Sequence, residues 1–228
     1  MESPKDKAKK AAGYAAAELI QENMTIGLGT GTTAFYFIER LGERCRQGLH
    51  ISAVSTSQKS WDLAREAGIP IRDIDSYTSL DLVVDGADEI DSQKRMIKGG
   101  GGALLREKIV ATMSKEMIVI IDRQKLVEKL GAFPLPLEIV SFAWKATVLH
   151  IQDLGFKGAI RQTKEGKSYI TDNGNLIFDI HFPSPISNPE EIDRQIRKIP
   201  GVLETGFFFN LAGKVIIGYS DGKVEIRT

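Results

Sequence analysis

Thr25-Ile-Gly-Leu-Gly-Thr-Gly-Thr-Thr33 begins as a short β-branched and apolar run, breaks into glycines, and leads into a stretch of helical periodicity over 33–46. The strand reading covers 25–29. The same grammar continues on both sides of it. Residues 6–22 have the Ala-rich periodicity of a helix, 51–54 (Ile-Ser-Ala-Val) read as a second strand, and 57–67 as a helix that stops at Gly68. Short strands follow at 69–72 and 81–85 (Asp-Leu-Val-Val-Asp), then a helix at 102–113 and a continuous apolar strand at 117–121. Unbroken apolar strands alternating with helices predict an α/β fold, a parallel sheet with helices on both faces.

After Asp122 the pattern changes, and Phe133-Pro-Leu-Pro-Leu137 reads as a linker between two compact units. Beyond it come a strand near 137–140, a helix at 142–154, strands at 157–163 and 175–181 joined through Asp172-Asn173-Gly174, a helix at 188–198 and a strand at 202–207. That order, βαββαβ, is the split βαβ arrangement of ferredoxin-like α+β domains. The tail, Lys214–Tyr219 and Lys223–Arg227 around Ser220-Asp221-Gly222, reads as a hairpin returning to the first sheet. The expected division is therefore 1–131, joined by a C-terminal hairpin within 208–228, and a smaller domain at 132–207. No internal repeat or low-complexity tract interrupts it.

Composition narrows the function classes. With 42% apolar and 26% charged residues in 228, the chain is neither disordered, collagenous nor disulfide-rich. Thirty Lys and Arg balance thirty Asp and Glu, with no basic block to meet a phosphodiester backbone, so no nucleic-acid partner is expected. Apolar runs such as Met117–Ile121 are far short of a membrane span, and the Lys-rich start lacks the apolar region of a signal peptide; the reading is cytoplasmic, with no membrane partner. The lone Cys45 has no disulfide partner, and His50, His150 and His181 lack metal-ligand spacing. Carboxylates and lysines are left as the main carriers of chemistry, and no metal is expected.

The loop Gly27–Thr33 leaves a strand and enters a helix, where backbone N–H groups and the helix dipole favour an anion. A dinucleotide fingerprint fails at residue 32, which is Thr, and at the end of the second strand, which is Ser55 rather than an acid. A P-loop fails for want of Gly-Lys-Ser/Thr. Hydroxyls also end the second strand, Ser55-Thr56-Ser57, so two hydroxyl-rich loops line one crevice and suit a monophosphate better than a nucleotide. In the third loop, Asp85-Gly-Ala-Asp88-Glu89-Ile-Asp91, EF-hand spacing is absent. It reads as a solvated acidic turn except at Asp85, which ends a buried strand and faces the crevice, with Asp88 three residues on. The fourth segment, Lys98-Gly-Gly-Gly-Gly102, opens a helix with a backbone that needs unusual dihedrals or close ligand approach. At about 100° per residue, Leu105, Ile109, Val110 and Met113 define the buried face of that helix. Glu107 lies well away from its centre, as a surface salt-bridging residue would, while Arg106 falls inside the apolar sector and predicts a partly buried guanidinium paired to a carboxylate. A phosphate cradle, two or three carboxylates and a lysine form the set needed to move a proton between neighbouring carbons of a sugar phosphate.

Gly29-Thr-Gly-Thr-Thr33, Asp85-Gly-Ala-Asp-Glu89, Met96-Ile-Lys-Gly-Gly-Gly101, Arg106-Glu-Lys108, Phe133-Pro-Leu-Pro136 and Thr171-Asp-Asn-Gly-Asn175 together resemble type A ribose-5-phosphate isomerases, in family order across nearly the whole chain. The resemblance implies interconversion of D-ribose 5-phosphate and D-ribulose 5-phosphate through an enediolate, in the non-oxidative pentose phosphate pathway, without a cofactor. It implies a Rossmann-like first domain, a ferredoxin-like second domain and a homodimer or homotetramer. By matching position, Glu107 is the base between C2 and C1, Asp85 assists ring opening, and Lys98 stabilises the enediolate oxygen, with Asp88 beside them. Thr30, Gly31, Thr32, Thr33, Asp85, Gly86, Ala87, Asp88, Lys98, Gly99, Gly100 and Gly101 hold substrate. Ser55 lies in a neighbouring loop, and Lys125 and Lys9 lie toward the phosphate. Thr32 stands where the family often has Ser, and Gly102 where it often has Ala; neither removes a required group. Two other readings are a related sugar-phosphate enzyme, such as a deaminating isomerase or a lactonase, and a non-catalytic sugar-phosphate sensor, which could dispense with Glu107 and Lys98.

Overall fold

The structure is a computed structural model and describes residues 3–228. Helix α1 (Pro4–Glu18) starts at Ser3, whose hydroxyl accepts from the Asp6 N–H, with Pro4 pre-set for the first turn. Strand β1 (Thr25–Leu28), α2 (Thr32–Arg46), β2 (Ser52–Ser55), α3 (Gln58–Glu66) and β3 (Leu82–Asp85) then alternate. Two short strands, β4 (Glu89–Ile90) and β5 (Met96–Ile97), precede α4 (Leu104–Met113) and β6 (Met117–Asp122). Next come β7 (Leu135–Ile139), α5 (Trp144–Asp153), β8 (Lys157–Ile160), β9 (Leu176–His181), α6 (Pro189–Ile196) and β10 (Val202–Thr205). The chain ends through β11 (Phe207–Phe208), β12 (Ala212–Gly218) and β13 (Val224–Arg227). Among the described residues no helix is long and apolar enough to cross a membrane.

Two compact units result. The first takes the described residues through Ala87, then Arg106–Leu126 and Asn210–Thr228; the second takes Asp88–Leu105 and Val127–Phe209. Residues 88–105 thus leave the first unit, where the sequence reading had them, and the later boundaries fall at 126/127 and 209/210 rather than 131/132 and 207/208. Backbone pairing is the reason. Strand β5 bonds antiparallel to β4 and to β11, which ties this segment to chain that continues from β10. Strands of two residues carry no readable periodicity, so this small sheet is invisible in the sequence.

The first unit holds a six-stranded sheet in the order β13-β12-β6-β3-β1-β2. All neighbours are parallel except the edge pair β12–β13, the expected hairpin. Ile26, Leu28, Val84, Ile118, Ile120 and Ile216 bury one face against Ala12, Ala16, Phe37, Ile38 and Leu41, while Val83, Val119, Ile121 and Ile217 are buried on alternate positions. Burial on both faces explains the unbroken apolar run. The expected strand at 69–72 is reduced to a single bridge, Ala53 to Ile71, because Pro70 has no N–H to extend the ladder and Asp73 caps a 3-10 turn at Ile74–Ser76.

The second unit carries an antiparallel sheet in the order β10-β7-β9-β8, the ferredoxin-like arrangement. Leu135, Leu137, Ile139, Phe178 and Ile180 bury against Ile151 of α5 and Ile196 of α6. The stretch expected as a linker at 133–137 already contains the start of β7. Pro136 is tolerated because pairing with β10 begins only at Leu137.

Asp81 clamps the amino ends of the first sheet. Its Oδ2 accepts from the Thr25 N–H and hydroxyl at 2.9 Å each, and its Oδ1 accepts from Lys115 Nζ at 2.7 Å. The Lys115 bond first, then the two Thr25 donors, hold its pKa down from 3.8 to about 2. A carboxylate depressed on folding stabilises above its unfolded pKa and loses that contribution as pH falls through the folded value. The melting-temperature gap between the parent chain and Asp81→Asn should therefore shrink as pH drops from about 5 to about 2. A gap that stays constant over that range in a pH series of thermal melts would remove Asp81 as its source.

Candidate active site

Strands β3, β1 and β2 are neighbours, and Leu28 pairs with both Val84 and Ser55, so the three loops leave the sheet at one level. The Gly29 N–H donates to the Val84 carbonyl, and the Thr56 N–H to the Leu28 carbonyl. Asp85, 1% exposed, turns its carboxylate over Gly29; a Cβ there would lie 2.2 Å from Asp85 Oδ1. That oxygen accepts from the Thr30 N–H at 3.0 Å and the Gly86 N–H at 2.7 Å. Thr30 Oγ1 lies 2.7 Å from Thr56 Oγ1, donates to Ser57 Oγ at 2.7 Å, and stands 3.3 Å from Ser60 Oγ, which donates to the Gly29 carbonyl. Thr30 thus spends its hydroxyl inside the protein, joining two loops. Ser57, one of the hydroxyls read at the end of the second strand, and Ser60, which the sequence reading did not single out, complete that network. Ser55 Oγ donates to the Ser57 carbonyl. Beyond Gly31, Thr32 is exposed and Thr33 half-buried at the start of α2, whose first turn has no side-chain cap. Such an N-terminus is suited to an anion.

Glu107 corrects the reading of α4. It is 3% exposed, not a surface residue, while Ile109, expected in the core, is 46% exposed. Leu104, Val110 and Ala111 are buried on the same arc, and Val110 lies directly over Gly27 of β1. Apolar residues surround most of this helix, so periodicity alone did not select the covered face. Arg106 is half-buried, as expected.

Asp122, at the carboxyl end of β6, accepts from the Gln124 N–H and caps the 3-10 turn Arg123–Lys125 that carries Lys125. Gly218 of β12 pairs with Asp122, and α1 passes so close that a Cβ on Gly218 would lie 1.9 Å from the Ala8 carbonyl. This brings the segment of Lys9, itself 9% exposed, to the same sheet end as Lys125.

In the second unit, Asp88 Oδ2 accepts from the Gly100 N–H at 2.7 Å. Lys98 is 2% exposed; its N–H donates to the Gly206 carbonyl, and its ammonium stands 5.3 Å from the centre of the Phe208 ring. Gly99 is buried, whereas Gly100 and Gly101 are exposed at the loop tip. Gly102 has φ +85°, and a Cβ there would fall 2.3 Å from the Tyr169 hydroxyl, so this position favours glycine. Burial and the nearby negative charge of Asp172 raise the pKa of that hydroxyl, keeping it a donor beside the Gly101 carbonyl.

The acidic segment is not a solvated turn. Glu89 is buried and accepts from the Gly131 and Phe133 N–H groups at 2.7 Å each; Asp91 is buried and holds Arg95 Nε at 2.7 Å together with the Gln93 and Arg95 N–H groups. Four carboxylates in seven residues have separate sets of donors. Among the described residues no group of three or more His, Cys, Asp and Glu side chains is placed to hold a metal ion.

Comparison with known proteins adds three findings. Residues 52–222 match the family model for ribose 5-phosphate isomerase A (phosphoriboisomerase A). A ribose-5-phosphate isomerase A of Protochlamydia amoebophila is 56% identical over 225 residues, 99% of this chain and 97% of that protein. A solved ribose 5-phosphate isomerase from Plasmodium falciparum superposes with a TM-score of 0.93 at 36% identity, and a solved D-ribose-5-phosphate isomerase in complex with phospho-erythronic acid with 0.92 at 39%; each alignment covers 98% of both chains. The comparisons lend no support to a lactonase, a deaminating isomerase or a non-catalytic sensor.

The contact between Asp85 and residue 29 makes a checkable demand. Gly29→Ala should cost about 1–3 kcal/mol through overpacking, a fall of roughly 2–10 °C in Tm for a chain of this size, and should shift the Thr30 amide resonance as Asp85 moves away. An unchanged Tm and Thr30 amide would mean that Asp85 is not held against this glycine.

Proposed function

The chain belongs to the ribose 5-phosphate isomerase A family, aldose-ketose isomerases that interconvert D-ribose 5-phosphate and D-ribulose 5-phosphate, and from that membership we propose how its residues divide the reaction. Glu107 is the base. It takes the proton from C2 of the open-chain aldose, the C–H electron pair forms the C1=C2 bond as the C1=O pair moves onto O1, the C2 hydroxyl proton passes to O1, and as the C2=O bond forms the C1=C2 pair takes the proton back at C1. Lys98 compensates the charge on the enediolate oxygen, Asp85 assists opening of the furanose ring, and Asp88 is the further carboxylate of the catalytic set. Gly31, Thr32 and Thr33 at the α2 N-terminus, the backbone of Thr30, Gly86, Ala87 and Gly99 to Gly101 hold the substrate, with Ser55 behind the loop. Lys125 and Lys9 take the phosphate. The observation that carries the reading is the burial of Glu107 on the covered arc of α4, at the position the family motif Arg-Glu-Lys gives to the base, in a place where a carboxylate is costly to bury. The phospho-erythronic acid bound by a solved relative is a phosphorylated sugar acid, the ligand class this set of anion-binding groups suits. The same reading includes no cofactor, a homodimer or homotetramer, a cytoplasmic location and a place in the non-oxidative pentose phosphate pathway.

Conversion of ribose 5-phosphate by the purified chain, with Glu107→Gln as its partner, is the direct test. Glutamine keeps the shape without the basicity, so kcat should fall about 10²–10⁴-fold with substrate affinity little changed. In D₂O the parent enzyme should place some deuterium at the transferred position, because a carboxylate carrying the proton exchanges with water. Near-normal turnover by folded Glu107→Gln would move the base elsewhere.

The phosphate end is tested separately. Ribose without its phosphate should be a poor substrate, and Lys125→Ala should mainly raise KM, since a remote contact acts alike on ground and transition states. Equal catalytic efficiency on free ribose would overturn the anchor.

A further inference from the structure

Three consecutive carbonyls of the glycine loop are met by side chains of the β8–β9 region. Arg161 Nη1 donates to the Gly99 carbonyl at 2.9 Å and to the Gly100 carbonyl at 3.1 Å, and the Tyr169 hydroxyl reaches the Gly101 carbonyl at 3.4 Å. Arg161 is itself fixed. Its Nε and Nη2 grip Asp179 of β9 at 2.8 and 2.5 Å in a two-pronged pair, with both side chains less than one-fifth exposed. The Tyr169 N–H donates to the Arg161 carbonyl at 2.8 Å, which seats the tyrosine ring next to the guanidinium.

The peptide joining Gly99 to Gly100 is the important element. A peptide is planar, and in the trans form its C=O and N–H point in opposite directions. No peptide bond among the described residues is cis. Arg161 holds the Gly99 end of this plane, and the N–H at the other end donates to Asp88 Oδ2 at 2.7 Å. Glycine has no side chain to set this plane; the guanidinium sets it together with the Gly102 N–H, which donates to the same Gly99 carbonyl at 3.0 Å. A cation on the carbonyl also polarises the amide and strengthens its N–H as a donor.

We infer that Arg161, anchored by Asp179, is a positioning residue that orients the Gly99–Gly100 peptide and through it fixes the carboxylate of Asp88. Its bearing on catalysis rests on the isomerase reading above, whereas the relay itself does not. Arg161→Lys is the informative change: it keeps a positive charge for Asp179, but a single ammonium lacks the fork that grips a carboxylate while bonding two carbonyls.

The experiment has two arms. In the first, the Gly100 amide resonance is followed by NMR, and it should move in Arg161→Lys in the same direction as in Asp88→Asn; an unmoved Gly100 amide in Arg161→Lys overturns the relay, whether or not the chain isomerises ribose 5-phosphate. In the second, kcat is measured for both single variants and the double variant. Arg161→Lys should lower kcat about tenfold with KM within about twofold in the parent chain, and less than about twofold in the Asp88→Asn background, because its target is already gone. Equal losses in both backgrounds would show that Arg161 does not act through Asp88. If Arg161→Lys fails to fold, Asp179→Asn releases the fork from the other side and is read by the same two arms.

Discussion

The carboxylate of Asp85 occupies the space that a side chain at residue 29 would fill, and the first unit's loops are arranged around that contact. It requires β1 and β3 to be parallel neighbours ending at the same level, which the pairing of Leu28 with Val84 provides. It requires glycine at 29 and a turn that brings the Thr30 N–H back toward β3. Once Thr30 is held, its hydroxyl reaches Thr56, Ser57 and Ser60, and the loop after β2 is drawn into the same network. A buried carboxylate needs donors, and here backbone N–H groups supply them from two adjacent loops.

Charged groups in both units follow one rule: a buried charge sits where the backbone or a fixed partner can answer it. Glu89 takes two N–H groups of the segment leading into β7, and Asp91 closes its own turn around Arg95. Glu138, fully buried in β7, receives the Thr171 hydroxyl and the side-chain amides of Asn173 and Asn175 on one oxygen. The Thr-Asp-Asn-Gly-Asn segment is thereby a polar plug on the second sheet. The turn in which it lies is fixed by that carboxylate as well as by its own backbone bonds.

Legibility in the sequence followed the length over which a residue's environment is set. Parallel strands buried on both faces, such as Met117–Asp122, announce themselves as unbroken apolar runs, and the glycine loop after β1 marks a strand-to-helix turn from local chemistry alone. The βαββαβ order of the second unit was readable for the same reason. Strands β4, β5 and β11 were not, because two residues hold no period and the pairing of β5 with β11 joins positions more than a hundred apart. The covered face of α4 was misread because apolar side chains surround the helix, and only its packing over Gly27 selects the arc that contains Glu107.

By itself, then, the order of residues determined the class of fold, the parallel sheet, the loops from which chemistry is drawn and the residue types in them, since each depends on propensities and patterns a few residues long. The tertiary structure alone decided which carboxylates are buried and who answers them, that residues 88–105 belong with the second unit, and that Arg161 reaches back across more than sixty positions to the glycine loop. Such contacts are set by how elements pack and by which peptide planes their side chains can reach, and nothing local in the chain encodes that distance.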